Sequence, residues 1–172
     1  MQKGTRLTIK WIVYIVLLLL AFVLQTSVSV WSIAGIRPIL IVPFVVALSM
    51  QEREVFALVF GLLGGFLWDY SSGTIAGFHA MVLMICCVVI SLAVTYYMGN
   101  HFLIALMFCA GTMILQGLLD YLFGYVIWDY EGSGWALLRE ILPTAAYTVA
   151  VTPLFFFLLR WIHRLLEGKE EQ

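Results

Sequence analysis

Uninterrupted apolar runs decide what this chain can become. From Trp11 to Val30, and again from Ala76 to Tyr97, no aspartate, glutamate, lysine or arginine occurs. Each run is roughly the 20 residues that a helix needs to cross a hydrocarbon core. In lipid a backbone must satisfy its own N–H and C=O groups, which leaves only helices or closed barrels. Barrel strands would show short alternating segments, and these runs are long and continuous. Hydrophobic residues make up 63% of the 172 and charged ones 11%, against roughly a quarter charged in soluble domains. The sequence therefore predicts an all-α polytopic membrane protein forming one transmembrane domain over residues 1–172.

The runs resolve into six spans, at about 11–30, 33–50, 55–69, 76–97, 102–124 and 137–162, followed by a short cytoplasmic tail at 163–172. Lys3, Arg6 and Lys10 resemble the start of a signal peptide, but the apolar run continues through Val30 without an A-x-A cleavage site, so the first span reads as retained. The second is the weakest. From Pro38 to Met50, with Pro43 inside it, a helix would be only about 20 Å long. It spans only by borrowing residues 32–36, by thinning the bilayer, or by sitting sheltered inside the bundle. Gln51–Glu54 is a tight polar hairpin, and Gly61, Gly64 and Gly65 are expected to pack span three against span two. Pro143 and Pro153 fall within span six and predict kinks.

Six spans place both termini on one side. Lys3, Arg6, Lys10, Arg53, Arg160, Arg164 and Lys169 share that side, whereas Arg37 and Arg139 lie opposite, so the termini are expected to be cytoplasmic. The tryptophans agree, with Trp11 and Trp161 at the inner edge and Trp31, Trp68, Trp128 and Trp135 at the outer one.

Few residues offer chemistry. Asp69 is the only charged residue between Glu54 and Asp120. Gly61 and Gly65, four apart, share a helix face and allow close approach of another helix. Gly73 and Gly77 flank a turn where unusual dihedrals carry no steric penalty. Arg37, Asp69, Asp120 and Arg139 all approach the outer face. They read either as Arg37–Asp69 and Arg139–Asp120 pairs fixing helix ends, the favoured reading, or as a polar or ion site. His79, His101 and His163 look scattered, and Cys86, Cys87 and Cys109 lie in apolar runs without ligand spacing, so neither a catalytic group nor a metal is expected. Net charge is −1, and no basic cluster tracks a phosphate backbone, which excludes nucleic-acid binding.

Pro38-Ile39-Leu40, Gly61 with Gly64-Gly65, Asp69, Gly73 and Gly77, then Leu142-Pro143-Thr144-Ala145, Tyr147 and Pro153-Leu154 form a pattern over nearly the whole chain. In these residues the chain resembles the bacterial rod shape-determining protein MreD family. It departs at Ile39, where the family pattern favours a polar residue. The resemblance implies a non-enzymatic, multi-pass protein of the bacterial cytoplasmic (inner) membrane, a scaffold of the cell-elongation complex without a cofactor. Its implied partners are MreC, the actin-like MreB, RodA and a class B penicillin-binding protein, and a homodimer stays open. It also implies a bundle similar to the substrate-binding subunits of energy-coupling-factor transporters. Gly61, Gly64, Gly65, Gly73, Gly77, Pro143 and Pro153 are the expected packing or partner-interface residues. The alternative is a small-molecule-binding transporter subunit with an outward-facing pocket. An enzyme acting on lipid-linked intermediates ranks third, for want of an Arg/His/Asp cluster.

Overall fold

The computed structural model describes residues 3–27, 38–73, 77–123 and 142–167. These hold six helices and no strand: α1 (Lys3–Ser27), α2 (Ile41–Ser49), α3 (Glu54–Ser72), α4 (Phe78–Tyr96), α5 (Phe102–Tyr121) and α6 (Leu142–Glu167). The polytopic helical bundle is as the apolar runs predict. Five helices are long and apolar enough to cross a membrane; α2 is not.

The second expected span, at about 33–50, begins outside the described residues, and its described helix is short. Its helix has nine residues, about 13 Å at 1.5 Å per residue. All nine are buried, and α2 touches each of the other five helices. Shelter inside the bundle is how this element is accommodated. Non-helical backbone at membrane depth survives only when protein groups satisfy it, and here they do. The Ile39 amide donates to the Thr148 hydroxyl at 3.0 Å, and the Ile41 amide donates to the Gln25 side-chain oxygen at 3.2 Å. Pro43 is the third residue of α2, where a helix leaves its N–H groups unpaired anyway.

The core forms around α2. From α1, Trp11, Tyr14, Leu18, Ala21 and Gln25, spaced three and four apart, make one inward stripe, the pattern of a one-sided helix. Trp11 stacks on Phe56 at 4.4 Å and Phe60 at 5.5 Å. The α1 residues Ile12, Val16, Leu20 and Val23 face away and are more than half exposed.

Contacts between Lys10 and Glu52, Gln25 and Ile41, Asp69 and His79, and Glu52 and His163 set the up-and-down order. The first described turn of α1 and the last of α6 thus lie at one end of the bundle. In α6, Pro143 occupies the second position and Pro153 is internal. The helix runs through His163 to Glu167, taking in the first part of the expected tail. Trp68 departs from its expected role as an interface anchor: it is only 6% exposed and packs inside the protein. Trp31, Trp128 and Trp135 lie outside the described residues.

Candidate functional site

Gly61, Gly65 and Asp69 are four apart along α3 and so share one stripe, and that stripe faces α4. A Cβ on Gly65 would run into the Ala80 backbone, and one on Gly61 would fall 3.0 Å from the Cys87 Cβ and the Met84 Cα. The glycines let α3 meet the α4 backbone directly. Gly64 points elsewhere, toward α2, where a Cβ would meet Val45 at 2.8 Å and Ile41 at 3.0 Å. Two expectations are corrected: only Gly64 packs span three on span two, and this glycine face is filled within the chain, leaving no surface for a partner helix.

The close approach delivers the Asp69 carboxylate to the start of α4. The N-cap there is Gly77, which has no side chain to offer. Asp69 supplies the missing acceptor from the neighbouring helix: the amides of Gly77, His79 and Ala80 donate to it at 2.8, 3.0 and 3.4 Å. These are the amides that a helix start leaves without partners, at the positive end of its dipole. Gly77 at φ +96° and Gly73 at φ +66° make the turn in the left-handed region, where other residues are strained.

His79 lies between two carboxylates. Its Nδ1 is 2.7 Å from Asp69 Oδ1, and its Nε2 is 3.0 Å from Asp120 Oδ1. The His79 and Asp69 side chains are 2% exposed and that of Asp120 35%. Trp68 stacks on the imidazole at 4.5 Å, and Phe78 meets it edge-on at 5.2 Å. Two short N···O contacts each require a proton between them. An imidazolium between two carboxylates and a neutral imidazole with one carboxylic acid both meet that requirement. Both carry a net charge of −1.

Beside Asp120 is a cavity of about 180 Å³, lined by Ile39, Trp68, Met113, Gln116, Gly117, Asp120 and Thr144. Gln116 is 1% exposed, and neither its amide nitrogen nor its oxygen has a hydrogen-bond partner. A second cavity, of about 460 Å³, lies across Ile39 and is lined by Phe22, Gln25, Thr26, Pro38, Ile39, Tyr70 and Ser71.

A second polar cluster sits at the opposite end, around Glu52. Its carboxylate accepts a hydrogen bond from Tyr14 at 2.8 Å and forms an ion pair with Lys10 at 3.0 Å, and His163 Nδ1 lies 2.9 Å away. Its backbone carbonyl accepts from the Ser91 hydroxyl at 3.1 Å. One residue of the α2–α3 turn thus ties α1, α4 and α6 together. Burial works to raise the Glu52 pKa, but His163, Lys10 and Tyr14 together outweigh it and hold the carboxyl below the usual glutamate range.

Asp69 and Asp120 are thus brought together by His79, a histidine that read as isolated. The favoured arginine pairings fall outside the described residues, since neither Arg37 nor Arg139 is among them. The Asp69–His79 separation of ten residues across a two-glycine turn was the available signal: it returns both side chains to one membrane level. Glu52 was read as part of a tight polar hairpin, and nothing local distinguishes it from Glu54. Among the described residues no group of three or more His, Cys, Asp or Glu has metal-binding geometry.

A family model described as rod shape-determining protein MreD matches residues 5–166. No curated protein and no solved structure matches the chain.

Proposed function

This chain belongs to the rod shape-determining protein MreD family, a structural, shape-determining family of the bacterial inner membrane, and from that premise we propose that it is a non-enzymatic scaffold of the cell-elongation complex. Its work is to bind MreC within the membrane and, through the complex, to help direct lateral peptidoglycan synthesis with MreB, RodA and a class B penicillin-binding protein. The family match over nearly the whole chain carries this reading.

The geometry supports it in two ways. Both nitrogens of His79 are engaged by carboxylates, so its imidazole is committed to holding Asp69 and Asp120, and the Asp69 amide contacts serve the α3–α4 joint. The outward faces are apolar and broad: Val16 and Leu20 on α1, Met81 and Ile85 on α4, Met107 and Ile114 on α5, and Leu154 and Trp161 on α6 are exposed. Of these helices α1 attaches by one narrow stripe, leaving the rest of its circumference for a partner helix.

The test is co-purification of the tagged full chain with MreC from native membranes. Val16→Trp with Leu20→Trp on α1 is expected to reduce MreC recovery while the protein still inserts. Absence of MreC from the wild-type preparation would overturn the proposal. The transporter-subunit alternative rests on a single feature, the cavity beside Asp120, and no family match stands behind it.

A further inference from the structure

The cavity beside Asp120 has a built polar wall and an acidic group at its edge. Gln116 and Asp120 are four apart on α5 and share a face, and Thr144 of α6 joins them. Trp68, Met113 and Ile39 complete the cavity with aromatic and apolar surface.

Two observations independent of each other point to an occupant. The first is Gln116, a buried carboxamide with both polar atoms orphaned. Such a group costs free energy unless something in the cavity pairs with it. The second is charge. The Asp69–His79–Asp120 cluster carries −1 in either proton arrangement, and its described contacts leave Asp120 Oδ2 open. Among the described residues, the lysines and arginines lie at the far end, on the first turns of α1, at Arg53 and on the last turns of α6.

We propose that this cavity binds a primary ammonium group on a short apolar stem, the aminoethyl class. Its N–H groups donate to Asp120 and to the Gln116 oxygen, its charge balances the cluster, and its stem lies against Met113 and Ile39. The Trp68 indole adds attraction for the cation. The cavity of about 180 Å³ has room for a few heavy atoms with accompanying water. The site lies near the ends of α3 and α5, at the face opposite the termini. There an aminoethyl group could come from a phospholipid headgroup or from a free amine.

The experiment uses the purified full chain. In detergent, ethylammonium is compared with sodium at equal ionic strength and with ethanol as a neutral isostere, and the thermal midpoint is read. In nanodiscs of phosphatidylglycerol with and without phosphatidylethanolamine, lipid retention is read by native mass spectrometry. The expected result is a midpoint raised by ethylammonium alone, or phosphatidylethanolamine retained over phosphatidylglycerol by about tenfold. Stabilisation by free amine without lipid preference assigns the soluble source; lipid retention assigns the headgroup. Asp120→Asn is expected to abolish the effect and Gln116→Leu to weaken it severalfold; if the first fails to fold, the second carries the test. The proposal is overturned if wild type responds to neither probe, including the case in which Arg37→Gln or Arg139→Gln uncovers binding, or if the response survives both variants.

Discussion

Asp69→Asn keeps the shape of the side chain but removes the charge on which three amides and an imidazole converge. Hydrogen bonds to a charged acceptor are worth more than neutral ones, so the variant should lose about 2 kcal/mol, read as a lower midpoint in reversible SDS titration of the purified chain. An unchanged midpoint would contradict the capping role. Gly65→Ala should cost about 3 kcal/mol, because its methyl group meets backbone and not a yielding side chain. Gly73→Ala, with open space around it but φ +66°, should cost about 1 kcal/mol from strain alone. The turn glycines were legible in sequence, since Gly73 and Gly77 fall among Ser and Thr residues between two apolar runs. His79 was not, because two carboxylates fifty-one positions apart can only be seen to share a histidine once α5 is laid beside α4.

At the scale of elements, α2 shows how a helix too short to span is held at depth. Thr148→Val orphans the Ile39 amide and Gln25→Leu orphans the Ile41 amide. Each should cost about 1–3 kcal/mol, and hydrogen exchange at these two amides should accelerate while that of mid-α4 stays slow. Equal acceleration throughout would show that the two bonds are incidental. The long helices were legible because apolar length alone dictates them. The second was legible as an anomaly: its length and its prolines excluded an ordinary span. Which accommodation it takes depends on Thr148 and Gln25, residues of α6 and α1 whose neighbours no local pattern reveals. The pairing of Gly64 with α2 but of Gly61 and Gly65 with α4 was hidden for the same reason, as a glycine stripe announces close approach without saying to what.

For the whole molecule, Glu52 is the tie at the end where α1 begins and α6 finishes. Its carboxyl is held below the ordinary value of 4.5 in the folded protein. Its contribution is therefore fully present above that pH and is lost as pH falls through the lower native value. The wild-type midpoint minus that of Glu52→Gln should be constant from neutral pH to about 5 and shrink below 4.5; a gap that widens on acidification would reverse the assignment. Beyond this tie, the molecule turns broad apolar faces outward and uses its glycines and most of its buried polar groups to hold itself together. The central claim is that those outer faces, not an interior site, carry the function. Photo-crosslinking in native membranes from Val16, Leu20, Ile85, Ile114 and Leu154 tests it most directly. The account predicts adducts with MreC from one contiguous set of these positions and only intramolecular products from buried Leu83. Folded, inserted protein that yields no adduct with any elongation protein from any of these faces would contradict it.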